Sequence, residues 1–279
     1  MKITLNELRN IIKKSLNEIK YSEFNDIKYS NNASSHDLYT GSRNNKNFYI
    51  KFPAEMLQTL VEYLAYRIYE LYAEKNPDYV TQPDEIYLVI NNNTVGIATS
   101  EGEGRDLSGR SIINFYGKEI YDAFARHVGS RYYIDALMAN WDQSKNVLIS
   151  IKQNEHGENT FVKSTAFDPG GSLTFRAQGA KKGSRFGYNV GELETFLDPN
   201  IPGMNSYIYP YRDEEVAKKI FMSVSIDEIM NRINQVCAEV CEELNNNNLS
   251  SLCSEFQAEC AEISDKLYNR HIYIINKIS

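Results

Sequence analysis

No stretch of this 279-residue chain reaches the roughly 18 consecutive apolar residues of a bilayer-spanning helix, and the N-terminus lacks the apolar core of a signal peptide. A cytoplasmic chain with no membrane partner is therefore expected. Positive charge is also short. Lys and Arg total 30 against 37 Asp and Glu, a net charge of -7, which argues against broad, sequence-independent nucleic-acid binding because neutralising phosphates takes clustered cations. Cysteine is scarce. Cys237, Cys241, Cys253 and Cys260 all fall in the last quarter, in segments of helical pattern, and the glycine-rich knuckles of structural zinc sites are missing. Reduced, packed thiols are expected there. His36, His127, His156 and His271 are scattered without ligand spacing, so none is assigned chemistry.

What remains is ordinary globular material, 42% hydrophobic and 24% charged, enough for one large domain or two packed lobes. "MKITLNELRNIIKKSLNEI" places Thr4 three residues before Glu7, a capping-box signature, with Leu8, Ile11, Ile12, Leu16 and Ile19 at helical spacing. An N-terminal helical segment is expected over residues 1–30. "KYSNNASSHDLYTGSRNNKN" is rich in Asn and Ser and predicts a turn or loop. "NFYIKF" predicts a strand with Phe48, Ile50 and Phe52 on one face and Tyr49 and Lys51 on the other. From Ala54 to Glu74, Leu57, Leu60, Val61, Leu64, Ile68 and Leu71 form an apolar helical stripe with Glu62 at its edge. "EIYLVI" and "TVGIATS" predict an antiparallel pair, and "EGEGRDLSGRS" a connector. Beyond it, residues 117–140 are helical in pattern, "NVLISIK" and "NTFVKSTAF" predict a hairpin, and the chain is mostly helical from about Asp213. The fold class is α+β and bilobal. A small β-rich lobe covers residues 31–106, a larger helical lobe covers 107–279, and a cleft lies between them.

Several polar residues add nothing to either core. Lys51, opposite its apolar neighbours, is either solvated or, with Glu62 of the following helix holding its ammonium, aimed at nucleotide phosphates. In "NWDQSKN", Asp142 can accept or orient the proton of an incoming hydroxyl, while Asn146 offers an amide oxygen to a divalent cation. In "AFDPGG", Asp168 ends an apolar strand and is released into a turn by Pro169, Gly170 and Gly171. Hard carboxylate oxygens on a rigid backbone suit magnesium, which keeps water and substrate phosphates as its other ligands.

The order Lys51, Glu62, Asp142, Asn146, Asp168 resembles the protein-kinase-like superfamily, in particular its atypical HipA-like and phosphatidylinositol 3/4-kinase-like branch. "DALMANWDQSKNVLI" and "FDPGGSLTFRAQGAKKG" are similar to the "NWD" and "D-x-GGSL-x-x-RAQG" blocks of a kinase-like domain in some bacterial and phage proteins. The resemblance implies an enzyme using ATP and Mg2+ to phosphorylate a hydroxyl of a protein or small molecule. It makes Lys51 the phosphate-binding lysine, Glu62 its partner, Asp142 the catalytic-loop aspartate, and Asn146 and Asp168 the metal ligands. Three departures stand out. Asn146 is one position nearer Asp142 than the family pattern has it, a G-x-G-x-x-G is missing, and Pro169 and Gly170 replace the usual Phe-Gly. In place of the glycine loop, "YTGSRNNKN" offers Gly41 and Ser42 as a phosphate cradle.

The run "RAQGAKKGSRFG" gathers Arg176, Lys181, Lys182 and Arg185 in an otherwise acidic chain. These either grip a nucleotide phosphate or acidic substrate, Arg176 and Lys181 foremost, or form a solvated loop. Two other functions remain open on the same residues. One is nucleotidyl transfer on the same fold, and the other is a noncatalytic pseudokinase or interaction protein. The opening helix resembles the start of some phage late proteins, which implies the host cytoplasm for a phage-encoded chain. Ile226, Ile229, Met230, Ile233, Val236, Val240 and Leu244 predict a packed helix, after which the last helix serves either this core or a partner chain.

Overall fold

In the computed structural model, which describes residues 18–30, 37–107, 109–142, 146–201 and 205–279, strands begin earlier than the apolar pattern suggests. β1 (Glu18–Lys20) and β2 (Asn25–Tyr29) occupy the end of the segment read as an N-terminal helix, and β3 (Asp37–Arg43) lies in the segment read as a loop. Thr4 and Glu7 lie outside the described residues. The physical reason is position: β2 forms one edge of a six-stranded sheet and half-buries only Ile27, so its alternation carries almost no apolar signal.

β3 and β4 (Lys46–Phe52) form a hairpin turning at Asn44 and Asn45, whose φ values of 49° and 62° fit a primed turn that follows the twist of the strands. β5 (Ile86–Asn91) and β6 (Thr94–Ser100) pair antiparallel as expected. The strand order is β1-β5-β6-β4-β3-β2, with β1 parallel to β5 and the other pairs antiparallel. Phe48 and Ile50 of β4 bury against Phe24, Tyr87, Val89 and Ala98 on the outer face of the sheet. That alternation turns Lys51 to the inner face.

The inner face is covered by α1 (Met56–Lys75). Leu60, Val61, Leu64, Ile68 and Leu71 are buried as the stripe predicts, but so are Tyr63, Tyr66, Tyr69 and Tyr72 on its other sides. A helix buried all round is interior. One side packs on β5 and β6, the other on the turn at Pro169–Gly171 and on two C-terminal helices. Glu62, expected at the edge of the stripe, is consequently only 2% exposed.

β7 (Arg105–Asp106), within the connector, joins β8 (Val147–Gln153) and β9 (Asn159–Ala166) in a three-stranded sheet. Between them run α2 (Gly109–Tyr116), α3 (Lys118–Gly129) and α4 (Tyr132–Leu137), and after them α5 (Glu192–Thr195), α6 (Asn205–Ile208), α7 (Glu214–Met222), α8 (Ile226–Asn246) and α9 (Ser250–Ile278). α8 opens on a capping box: Glu228 N–H donates to the Ser225 hydroxyl oxygen and the Glu228 carboxylate accepts from Ser225 N–H. Ile229, Ile233, Val236, Val240 and Leu244 are buried, and α9 folds back along α8 so that one face of the last helix fills this chain's own core. Reduced thiols are not found throughout: Cys241 and Cys253 form a disulfide across the α8–α9 hairpin, where their Cα atoms stand 4.9 Å apart, while Cys237 and Cys260 are free. The pair stands twelve positions apart in sequence, and the return of the helix brings the two together. No helix among the described residues is long and apolar enough to cross a membrane.

Candidate functional site

Between the six-stranded sheet and the β8–β9 hairpin lies a cavity of 620 Å³. Leu38, Ile97 and Leu148 supply apolar walls, and Lys51, Glu62, Asn146 and Asp168 its polar end. Lys51 enters from the inner face of β4, in register with Leu38 on β3 and Ile97 on β6. Its ammonium stands 2.8 Å from Glu62 Oε2 and 2.7 Å from Asp168 Oδ1. Burial disfavours that ammonium, yet the two carboxylates outweigh it and hold the Lys51 pKa above the ordinary lysine value. Burial pushes Glu62 up to about 7, with Lys51 opposing the rise and Asp168 adding to it.

Asp168 is held from several sides. Its backbone is left-handed, with φ 48°, and its N–H donates to Tyr66 Oη at 2.8 Å, one turn beyond Glu62 on α1. Asn146 Nδ2 donates to Asp168 O at 2.9 Å, and Phe167 N–H donates to Asn146 O at 3.0 Å. The two expected metal ligands are thus bound to each other through the backbone at the roots of β8 and β9. Asn146 N–H also donates to Asp142 O at 3.2 Å.

The glycine pair after Asp168 explains how three carboxylates approach one backbone. A Cβ at Gly170 would lie 2.8 Å from Glu62 Oε2 and 3.0 Å from Asp168 Oδ1. A Cβ at Gly171 would lie 3.0 Å from Asp142 Oδ2. "DPGG" therefore makes room for Glu62, Asp168 and Asp142 together, in addition to making a turn.

Other expected residues lie elsewhere. Gly41 sits within strand β3, paired with Phe48 on the outer face of the sheet, and Ser42 pairs with Asn47 at the far end of the hairpin. Neither lines the cavity. The start of β3 lies beside Lys51: Leu38 pairs with Lys51, Asp37 with Phe52, and Ser30 N–H donates to Leu38 O. Residues 31–36, between β2 and β3, lie outside the described residues. Arg176 and Lys181 do not line the cavity either. Arg176 is exposed, and its carbonyl accepts from Gln58 Nε2 on α1. Lys181 pairs with the buried Glu259 of α9 at 2.7 Å. Arg185 is exposed, whereas Lys182 turns inward and is buried. Sequence alone missed Tyr66, whose only signal is its place one turn after Glu62.

No family model and no curated protein matches the sequence. Among solved structures, the chain is similar to a proinflammatory kinase of Helicobacter pylori, CtkA, with a TM-score of 0.52 and 16% identity, covering 91% of this chain and 98% of that one. The likeness shows the fold: α+β, bilobal and kinase-like.

Proposed function

We propose that this chain is an ATP- and magnesium-dependent phosphotransferase acting on a hydroxyl of a protein or small molecule. The observation that carries the reading is Lys51, held at 2.8 and 2.7 Å between Glu62 and Asp168 at the polar end of a cavity large enough for a nucleotide. The kinase among similar folds supports it. Among the described residues no group of three or more His, Cys, Asp and Glu could hold a metal alone. Asp168 and Asn146, joined by a hydrogen bond, form the sparse oxygen set that suits magnesium when nucleotide phosphates complete the shell. Bound there, magnesium supplies charge neutralisation for the phosphates.

This chain's own residues do the rest. Lys51 exchanges Asp168 for phosphate oxygens while Glu62 keeps its ammonium aimed. Asp142, beside Gly171, orients the acceptor hydroxyl and takes its proton as the oxygen attacks the γ-phosphorus and the bond to the ADP oxygen breaks. Incubation with magnesium and ATP labelled at the γ or the α position, followed by mass spectrometry of the protein and offered hydroxyl acceptors, tests the reading. Label from the γ position alone is expected. Transfer of the α label would instead mark a nucleotidyl transferase, and no transfer together with no ATP binding would mark a noncatalytic module.

A further inference from the structure

Lys182 stands in a polar run yet is 7% exposed, and it forms no ion pair among the described residues. Its ammonium donates to Ala139 O at 2.7 Å and to Gly171 O at 2.6 Å. These carbonyls belong to two different loops. Ala139, left-handed at φ 50°, opens the turn that leads through Trp141 to Asp142. Gly171 closes the turn that begins at the left-handed Asp168, and it is the residue whose missing Cβ makes room for Asp142 Oδ2. Beside them Leu173, also left-handed at φ 54°, donates its N–H to Met138 O at 2.7 Å. Non-glycine residues keep this conformation only where surrounding contacts over-determine it.

A buried ammonium without a carboxylate is a costly way to fill space. Burial pushes the Lys182 pKa down to about 7, with Glu192 the leading charge that opposes the shift. Methionine would occupy the same volume at no such cost. What lysine adds is a set of donors that meet two carbonyls at once, and it retains two of them even as the neutral amine.

We infer that Lys182 is a positioning residue that clamps the Asp142 loop to the Asp168 turn and fixes the spacing between the acceptor-side and the metal-side carboxylates. The catalytic consequence rests on the phosphotransferase reading. The clamp itself does not.

The test is amide hydrogen exchange on the full chain and its Lys182→Met variant, with turnover measured in parallel. Losing two hydrogen bonds from a buried cationic donor is expected to speed exchange about ten- to hundredfold in peptides 138–142 and 168–173, with α1 and α8 unchanged. Turnover should fall by a similar factor while KM for ATP stays within about twofold, because Lys51 and Glu62 keep the cavity. Lys182→Gln, whose amide reaches one carbonyl, should give an intermediate rise and replaces the Met variant if that variant does not fold. Unchanged exchange in either loop, exchange raised equally across α1 and α8, or faster loop exchange with wild-type turnover overturns the proposal. If the wild type transfers no phosphate, the phosphotransferase reading falls, and the exchange comparison alone decides the clamp.

Discussion

Replacing Gly170 by alanine separates the site from the fold. Gly170 is not left-handed, so alanine fits its backbone, and the exchange by itself should stabilise the chain by about 0.4–1 kcal/mol through the unfolded state. The new Cβ would stand 2.8 Å from Glu62 Oε2 and 3.0 Å from Asp168 Oδ1, well inside the 3.4 Å at which ordinary contact begins. Both carboxylates must give way, and both atoms are the ones that bond Lys51, at 2.8 and 2.7 Å, so the displacement is expected to lengthen those bonds. Charge-assisted bonds of this kind are worth about 1.5–3 kcal/mol, so nucleotide affinity or turnover should fall about ten- to hundredfold. Global stability in urea should change by no more than about 1 kcal/mol, the steric cost offsetting the backbone gain. Gly41→Ala is the control: its Cβ would meet neighbours at 3.4 Å on the outer face of the sheet and should alter neither quantity. Calorimetric titration with ATP and magnesium, with γ-label transfer in parallel, reads both variants. Wild-type affinity and transfer in Gly170→Ala, or an equal loss in Gly41→Ala, would refute the convergence of carboxylates at Gly170.

Asp168→Asn should abolish transfer yet leave the far-UV circular dichroism and cooperative unfolding of the wild type; retained transfer would remove its metal role. Glu62, buried and pushed up to about 7 from 4.5, favours folding most at low pH, and its contribution declines as pH rises from 4.5 to 7. Glu62→Gln should therefore leave urea stability at pH 8 unchanged within about 1 kcal/mol or raise it, while transfer falls about a hundredfold; a large loss of stability would make the ion pair structural. His127 bonds Ser164 Oγ and Asp78 O, and burial lowers its pKa from 6.5 to about 4. Its share of stability is complete above pH 6.5 and is lost as pH falls to 4, by up to about 3 kcal/mol, so His127→Gln should flatten that part of the stability profile.

Strong local patterns were legible in the sequence. The β4 alternation, the β5–β6 and β8–β9 pairs and the α1 stripe all stand in the coordinates where the pattern places them, and Lys51, Glu62, Asn146 and Asp168 line one cavity. The strands β2 and β3 at one side of the sheet were not, because they lack the apolar face that periodicity detects. The depth of Glu62 was hidden for the opposite reason. Tyr63, Tyr66, Tyr69 and Tyr72 lie outside the apolar stripe, and it is the sheet and the C-terminal helices closing over them that bury those sides as well. Among the cations of "RAQGAKKGSRFG", only the fold decides that Lys182 turns inward while Lys181 reaches α9. Gly41 looked like a phosphate cradle because glycine suggests a loop, yet it lies within β3, where even a Cβ would meet atoms of β2 and β4 at 3.4 Å.

The most direct measurement is a calorimetric titration of the full chain with ATP, with and without magnesium, repeated on Lys51→Met. If the amine and the carboxylates around Gly170 do hold a cation-bound triphosphate, ATP with magnesium binds in the micromolar to millimolar range typical of such enzymes, roughly tenfold or more tighter than ATP alone, and Lys51→Met loses that binding. No heat at about millimolar ATP and magnesium, or equal binding by Lys51→Met, would contradict it.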